Sequence, residues 1–548
     1  MASIERLVEA DAVRRLRERD PSLFTTDIDQ KVAVAQRLGW TDLAEKAPSR
    51  LPLLTSLAGQ LEAEGARDVV LLGMGGSSLA PLVFSRVLGS APGHPALHVL
   101  DTSSPTQLSE LLARLDAGTT FFILASKSGT TTEPLSLYAV FRQWADAELG
   151  RLAAGKRFLV ITDPGTPLEK RRSREGMRVT VTAPSAVGGR FSALSVFGLL
   201  PAALIGVDLE TVVRRAHAME QACARPAEDN PGAALAAWMV DAAEAGRDKL
   251  TLVAPQRLAP FGLWAEQLVA ESLGKHGKGI VPVPESPRTP TGYGQDRAVV
   301  VLRTADDTET DAWAHAVAAE TPVLQLILGD VLDVGAEFVR WENGVALAGF
   351  LLGVNPFDEP NVAEAKKATE AVLADGTDVP QALADLGGVW VTYAGDLDPP
   401  ADGAPGALDD AVRPLAGSLA LGDYFAMLAY LPEDERYLAP LRNALAAVSA
   451  ATGHATVLDL GPRYLHSSGQ LHKGGPDTGV FLLLTVRDRD DVSIPGQRYT
   501  LAALHRAQAE GDLVALAAHG RRVLRLDLPF LDQEIIAAVA NALTGALG

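Results

Sequence analysis

Residues 120–134 read TFFILASKSGTTTEP, an apolar run that is followed by hydroxyl-bearing residues and a proline. The run has the length and composition of a buried strand, and Pro134 suits the first turn of a helix. The segment therefore predicts a strand, a loop and a helix in succession. Short hydroxyls and free backbone N–H groups at a helix start can hold an anion, although a cluster of helix-capping hydroxyls is the structural alternative. Since no P-loop motif is present, a monophosphate fits better than a nucleotide triphosphate.

The same alternation of apolar strand and helix recurs along the chain. Continuous apolar strands separated by helices are typical of parallel sheets that are covered on both faces. We therefore predict an α/β fold with two or more doubly wound domains, mostly parallel sheets and flanking helices. The other predicted strands are 68–74, 96–101, 157–163, 177–183, 250–255, 297–303, 322–328, 478–485 and 521–529.

The pattern also suggests a division of the chain. Residues 1–50 read as an N-terminal helical segment, 51–225 as a first α/β domain, and 226–375 as a second one with connecting helices. Residues 376–410 read as a linker or loop, because 395–410 are rich in proline, glycine and aspartate. Residues 411–548 form a C-terminal α/β region with a histidine-containing segment.

Composition excludes several classes of protein. The 548 residues carry 49 Lys and Arg against 68 Asp and Glu, a net charge of −19, and no basic stripe is visible. Nucleic acid and anionic membrane are therefore poor partners, and an anionic substrate would need a local positive site. Cys223 is the single cysteine, which argues against a disulfide framework or a cysteine zinc site. The charged N-terminus and the absence of a long apolar run predict a cytoplasmic protein without a membrane span.

Five further segments carry residues of the types that act in catalysis or binding, and each also has a plain structural interpretation. GMGGSS (73–78) follows a strand but lacks the third glycine of a dinucleotide fingerprint, so a tight turn would explain it equally well. The arginine of GGRFS (188–192) can be a surface residue, a helical glutamate is usually solvated, and a lone histidine is more often structural. The remaining segments are EQLVAESLGK (266–275), NPFDEPNVAEAKK (355–367) and YLHSSGQLHKGGP (464–476).

Taken in order, these segments resemble the phosphoglucose isomerase family over residues 68 to about 476. The resemblance implies sugar-isomerase (SIS) domains and the interconversion of glucose 6-phosphate and fructose 6-phosphate through a cis-enediolate, in glycolysis and gluconeogenesis. It implies no cofactor and no metal. The implied catalytic residues are the base Glu271, the enediolate-stabilising Arg190, the ring-opening His466, and Lys366. The implied substrate contacts are Gly76, Ser77, Ser126, Lys127, Ser128, Thr131, Gln267 and Glu359.

The sequence departs from the family pattern at three points. Glu359 replaces the usual glutamine, and Ala363 replaces a usual glutamate. The order Glu271, Lys366, His466 differs from the usual order and looks like the isomerase half of bacterial transaldolase–isomerase fusions. In ordinary family members the histidine comes from the neighbouring subunit, so the resemblance is compatible with a homodimer. Because the order is changed here, His466 can act either within its own chain or in a partner's site. An isomerase that also accepts mannose 6-phosphate, and a non-catalytic sugar-phosphate-binding regulator, are the alternatives.

Overall fold

Three separate sheets organise the chain, as the computed structural model shows for residues 2–285, 293–375, 379–401, 403–487 and 491–547. The strands are β1 Asp68–Leu72, β2 Ala96–Leu100, β3 Thr120–Ala125, β4 Phe158–Thr162, β5 Val179–Thr182, β6 Lys249–Val253, β7 Val281–Glu285, β8 Arg297–Thr304, β9 Val323–Leu328, β10 Ala384–Leu386, β11 Val389–Ala394, β12 Tyr424–Ala429, β13 Ala455–Leu460, β14 Gly479–Val486 and β15 Arg522–Leu528.

Helices cover these sheets and connect them. They are α1 Ser3–Glu9, α2 Ala12–Arg17, α3 Ile28–Ala35, α4 Leu43–Lys46, α5 Leu51–Ala63, α6 Leu79–Val83, α7 Pro105–Leu112, α8 Thr132–Leu149, α9 Arg151–Gly155, α10 Pro167–Glu175, α11 Val196–Leu204, α12 Leu209–Ala222, α13 Pro231–Glu244, α14 Pro260–Leu273, α15 Thr308–Val317, α16 Val334–Leu352, α17 Pro360–Asp375, α18 Leu408–Gly417, α19 Glu435–Thr452, α20 Gly469–Gly474, α21 Leu501–Ala518 and α22 Gln533–Leu547.

The first sheet has the strand order β2-β1-β3-β4-β5, and all of its pairs are parallel. Every residue of β3 and β4 is buried, as expected for strands with helices on both faces. From β1 the chain continues to β2 on one side of the sheet, whereas β3, β4 and β5 follow one another on the other side. The edge beyond the carboxyl ends of β1 and β3 is therefore a topological switch point. The loops at 73–78 and 126–131 both lie at this edge.

The second sheet, β7-β6-β8-β9, is also parallel. Its helix α14 follows β6 and is almost wholly buried, because it packs on α16, α6 and α20. A helix in that position has no solvated face, so its polar residues must find partners inside the protein. The mostly parallel α/β architecture that the sequence predicts is confirmed.

The third sheet corrects the predicted linker at 376–410. Strands β10 and β11 lie within that stretch, and β11 pairs antiparallel with β15 at one side of the order β10-β11-β15-β14-β12-β13. Val389 and Val391 are buried whereas Trp390 is 42% exposed, so β11 buries one face of its alternating sequence. The burial of that face is what makes the segment a strand. Residues 376–378 and 402 lie outside the described residues.

Candidate active site

A cavity of about 620 Å³ opens where the first sheet, α14, α17 and the segment after β13 meet, and we call it the catalytic cavity. All the site residues that the sequence predicts line it except Ser126. They are Gly76, Ser77, Lys127, Ser128, Thr131, Arg190, Gln267, Glu271, Glu359, Lys366 and His466. One chain therefore brings together residues that are nearly 400 positions apart in the sequence.

The hydroxyl loop, residues 126–131, forms one end of the cavity. Ser126 is only 2% exposed and supports the loop from below: its Oγ accepts from the N–H of Gly129 at 3.1 Å and lies 2.8 Å from Thr131 Oγ1. Lys127 pairs with Asp163, and Ser128 faces the cavity. The loop thus presents one ammonium group and hydroxyls at the start of α8, an arrangement suited to a phosphate.

Two glycine segments pack against each other beside this loop. A Cβ on Gly76 would lie 2.1 Å from the carbonyl oxygen of Gly189, so only glycine permits the approach. Gly75 has φ of +53°, and a Cβ there would lie 2.8 Å from Gln267 Nε2. This packing fixes the neighbouring Arg190 at the cavity wall.

Helix α14 supplies the candidate base. Gln267 and Glu271 lie one turn apart, and Gln267 Nε2 donates to Glu271 Oε2 at 3.0 Å and to the backbone oxygen of His466 at 2.7 Å. Burial raises the pKa of Glu271; the charge of Arg190 opposes this rise, and the charge of Glu359 adds to it. A carboxylate with a raised pKa is well matched to proton transfer near neutral pH.

Arg190 lies between two carboxylates. Its Nε is 3.4 Å from Glu271 Oε1, and its Nη2 is 2.6 Å from Glu359 Oε2. Its Nη1 also donates to Ser272 Oγ at 3.3 Å and to the carbonyl of Pro356 at 3.2 Å. The guanidinium is therefore held in one orientation beside the base.

Arg37 is a cavity residue that the sequence analysis missed. It follows α3, and its Nη1 lies 2.9 Å from Glu359 Oε2, so Glu359 is held by two guanidinium groups. Lys275 is fully buried and donates to the backbone oxygens of Asn355 at 2.8 Å and Asp358 at 2.6 Å, which fixes the turn before Glu359. Burial lowers the pKa of Lys275 to about 8. No local motif marks Arg37, because only the tertiary fold brings it to Glu359.

His466 reaches the cavity from the third sheet's side. Its Nε2 lies 2.9 Å from Glu133 Oε1, and Gln508 Nε2 donates to the same oxygen at 2.7 Å. Burial opposes a charged imidazole, but the carboxylate of Glu133 outweighs it and raises the pKa of His466. Burial likewise disfavours a charged Glu133, yet His466 lowers its pKa below the ordinary value. The two form an ion pair within one chain.

Lys366 lies on α17 and lines the catalytic cavity together with His466. Both residues, with Val362, also line a neighbouring cavity of about 810 Å³. Four cations line the catalytic cavity against three carboxylates, Asp163, Glu271 and Glu359, a small local excess of positive charge that suits an anionic substrate in an acidic chain. The cations are Arg37, Lys127, Arg190 and Lys366.

The described ranges contain neither a candidate membrane span nor a candidate metal cluster. Across residues 2–285, 293–375, 379–401, 403–487 and 491–547, no helix has the length and apolar character needed to cross a membrane. Within the same ranges, no group of three or more His, Cys, Asp or Glu side chains is placed to hold a metal ion.

Comparison with known proteins gives the family. The profile described as phosphoglucose isomerase matches residues 56–282. A glucose-6-phosphate isomerase from Rubrobacter xylanophilus is 32% identical over 365 residues, which are 58% of this chain and 84% of that protein. The chain belongs to the phosphoglucose isomerase family. A glucose-6-phosphate isomerase from Symbiobacterium thermophilum is 29% identical over 388 residues, 61% of this chain and 86% of that one.

Two solved structures share the fold of this chain over about two thirds of its length. A hypothetical protein from Thermus thermophilus aligns with a TM-score of 0.58 at 27% identity, over 68% of this chain and 96% of that one. A glucose-6-phosphate isomerase from Chlamydia trachomatis shares the fold with a TM-score of 0.53 at 19% identity, over 67% and 79% of the two chains. The family profile includes Glu271 but ends before Glu359, Lys366 and His466.

Proposed function

We propose that this member of the phosphoglucose isomerase family interconverts glucose 6-phosphate and fructose 6-phosphate with Glu271 as the general base. The observation that carries the proposal is the bridge made by Gln267, whose amide contacts both Glu271 and the backbone of His466. A base and a ring-opening histidine are thereby held on two sides of one cavity. The hydroxyl loop at its other end suits the phosphate group.

The substrate's phosphate binds first in this scheme. Lys127, Ser128 and Thr131 hold it, and the remote anchor sets C1 and C2 of the sugar beside Glu271. His466 and Lys366 then exchange protons with the ring oxygen and the neighbouring hydroxyl, which opens the ring. The raised pKa of His466 keeps the imidazole available as an acid near neutral pH.

Proton transfer follows in the open chain. Glu271 removes the proton from C2 of the aldose, which gives a cis-enediolate whose charge lies on O1. The O2 hydroxyl gives its proton to O1, and Glu271 returns the proton that it took to C1, which gives the ketose. Arg190, held beside Glu271, stabilises the oxyanion as its charge develops. A carboxylate base and a fixed cation suffice for this route. The non-catalytic regulator is disfavoured, since a binding protein would not need Glu271, Arg190 and His466 around one cavity.

A coupled assay tests the activity directly. Purified protein should convert fructose 6-phosphate to glucose 6-phosphate at an unchanged rate after prolonged chelation. A loss that added divalent metal restores would argue for a different isomerase mechanism. Mannose 6-phosphate, assayed in parallel, decides whether the enzyme has the broader range.

We also infer a cytoplasmic location and a homodimer, the first from the sugar phosphate substrate and the reduced, buried Cys223, the second from the family resemblance. Because His466 contacts Glu133 of its own chain, turnover per chain should not depend on dimerisation. Activity that persists on dilution below the dimer's dissociation range supports this. Activity that falls in step with dissociation argues for a residue from the partner.

A further inference from the structure

A row of hydrogen bonds leads from His466 away from the catalytic cavity and into the protein. Glu133 Oε1, which lies 2.9 Å from His466 Nε2, also accepts from Gln508 Nε2 at 2.7 Å. Gln508 Oε1 in turn accepts from Ser103 Oγ at 2.5 Å. Gln508 and Ser103 are both buried, and the proposed mechanism uses neither. The row therefore connects the ring-opening histidine to two side chains without an assigned role.

The two neighbours of Gln508 fix the orientation of its amide. Glu133 pairs with His466 as a carboxylate, and a carboxylate can only accept hydrogen bonds, so the NH2 group of the amide must face it. The amide oxygen then faces Ser103, whose hydroxyl has a proton to donate. The reverse orientation would bring two acceptor oxygens together. The contact with Glu133 is thus a hydrogen bond to an ionised acceptor, which is stronger than one between neutral groups.

Helix α21, which carries Gln508, is closely packed on both sides of this residue. Ser103 Oγ also lies 2.9 Å from Nδ1 of His505, one turn before Gln508. A Cβ on Gly511, one turn after Gln508, would lie 2.7 Å from the backbone nitrogen of Thr369 on α17, so glycine is what permits the two helices to approach. The position of Gln508 is therefore fixed against the loop after β2 and against α17.

Different residues hold the backbone and the ring of His466. Gln267 Nε2 donates to its backbone oxygen at 2.7 Å, which fixes the main chain but leaves the ring free to turn. The contact with Glu133 orients the ring. Since Gln508 donates to the same oxygen of Glu133, it holds the carboxylate against which the imidazole is aligned.

We propose that Gln508 is a positioning residue, which holds the carboxylate of Glu133 so that it orients the imidazole of His466 for ring opening. The proposal rests on the proposed function of His466. Gln508 lines the neighbouring cavity of about 810 Å³ and not the catalytic cavity, so it acts through Glu133 and not on the substrate. Proton transfer by Glu271 does not depend on this row of hydrogen bonds.

The proposal predicts which step fails when the row is broken. A misaligned imidazole impairs ring opening, which is the work of His466, and leaves proton transfer at C1 and C2 to Glu271. A cyclic substrate should therefore be affected much more than one that cannot close a ring. Fructose 6-phosphate and 5-deoxyfructose 6-phosphate make this comparison, because the second lacks the hydroxyl that closes the furanose.

Two variants of the full chain are compared, with kcat and KM measured for both substrates. Gln508→Met keeps the length of the side chain but removes the amide. It should lower kcat for fructose 6-phosphate by about tenfold or more and for 5-deoxyfructose 6-phosphate by less than about threefold, with similar KM values. Thr485→Val is the matched control, since it removes a buried hydroxyl of β14 that donates to Asp527 at 2.7 Å and lines neither cavity. It should match wild type on both substrates.

A double variant supplies a readout that a merely structural role would not move. If Gln508 acts through Glu133, its replacement has nothing left to impair once that carboxylate is absent. In a Glu133→Ala background, Gln508→Met should therefore change kcat for fructose 6-phosphate by less than about twofold. A general loss of packing would instead multiply the two separate losses.

The imidazole signal of His466 reports its placement without turnover. In protein with isotope-labelled histidine, the NMR signal that is absent from His466→Ala should shift in Gln508→Met and should keep its position in Thr485→Val. Should Gln508→Met not fold, Ser103→Ala takes its place, because it removes the partner of the amide oxygen. A loss of about threefold, confined to the cyclic substrate, is expected for that variant.

Equal losses on both substrates in Gln508→Met would overturn the proposal, as would losses that multiply in the double variant. A wild-type enzyme that does not turn over fructose 6-phosphate would contradict the proposed function instead. In that case the His466 signal still decides the placement, and an unshifted signal in Gln508→Met would show that Gln508 does not position the imidazole.

Discussion

The imidazole Nε2 of His466 lies 2.9 Å from Oε1 of Glu133, although 333 residues separate the two in the chain. Glu133 stands in the first turn of α8, directly after the hydroxyl loop. The first sheet and the segment 461–474, which follows β13, are thereby coupled through one ion pair at the cavity. The same carboxylate that suits the positive end of a helix also raises the pKa of the histidine.

Glu133→Gln should lower the pKa of His466, because the carboxylate is what raises it. A histidine with a raised folded pKa adds stability fully below its unfolded value of 6.5, and this contribution is lost as pH rises through the folded pKa. Glu133, whose pKa is lowered, adds stability above 4.5. The free energy of unfolding of the variant should therefore fall by about 1–3 kcal/mol at pH 6, and by less at pH 9.

Proton NMR of the imidazole and denaturant titrations at the two pH values measure both effects. His315→Ala, at an exposed histidine on α15, is the control and should change neither. An unchanged titration of His466 in Glu133→Gln would show that the ion pair does not set its pKa.

The carboxylate at position 359 should tune the base. Glu359 adds to the raised pKa of Glu271, so Glu359→Gln should lower that pKa and move the acid limb of kcat/KM to lower pH. Arg37→Ala leaves Glu359 with less positive charge around it and should move the limb the other way. Profiles of kcat/KM between pH 4 and 9 for both variants provide the test. Shifts in the same direction would contradict the charge argument.

The sequence predicted the parts of the fold whose signals are local. Strand β3 is a continuous apolar run that leads into a hydroxyl-rich turn, and both features can be recognised without knowing any partner. Strand β11 could not be identified in this way, since it alternates buried and exposed residues beside a proline- and glycine-rich segment. It pairs with the short β10 just before it and with β15, which lies about 130 residues later, and a local pattern cannot reveal the second pairing.

The residues of the candidate site likewise divide into those that the sequence indicates and those that only the tertiary fold brings together. The resemblance to the phosphoglucose isomerase family implied roles for Glu271, Arg190 and His466, and the cavity contains all three. No local pattern indicated that Arg37 would meet Glu359, because such contacts depend on how separate elements pack. Ser126 was counted among the substrate contacts, since a pattern of hydroxyls does not reveal which of them points into the protein.

The hydroxyl loop offers a matched pair of substitutions. Ser128→Ala removes a hydroxyl that faces the cavity, so it should raise KM for the sugar phosphate by about 10- to 150-fold, a loss of about 1.5–3 kcal/mol. Its hydrogen bonds to Thr130 are exposed, so the melting temperature should fall less than in the buried Ser126 variant. Ser126→Ala removes the buried contacts to Gly129 and Thr131 and should lower stability by about 1–3 kcal/mol. Steady-state kinetics with thermal unfolding separates them. Equal melting temperatures would mean that Ser126 does not support the loop.

The sharpest test of the scheme separates proton transfer from ring opening. Glu271→Gln keeps the shape of the side chain and its place beside Gln267 but removes the base. It should lower kcat/KM by about 10²–10⁴-fold on every substrate, cyclic or open. His466→Ala should lose activity on fructose 6-phosphate but much less on 5-deoxyfructose 6-phosphate, because ring opening is then unnecessary. Spontaneous ring opening in water should preserve some turnover even of the cyclic sugar.

His472→Ala completes the comparison, since it lies six residues after His466 but outside the cavity. It is buried and bonded to Asp459 and Tyr424, so its replacement should lower the melting temperature. Any loss of activity should follow from displacement of the segment 461–474, which carries His466, and should be greater for the cyclic substrate. The assignment of the two histidines would be reversed if His472→Ala lost most of its kcat/KM on the open-chain substrate while His466→Ala kept nearly the wild-type value. Retention of most activity by Glu271→Gln would remove the base from the mechanism, and proton transfer would then have to be assigned to another residue of the cavity.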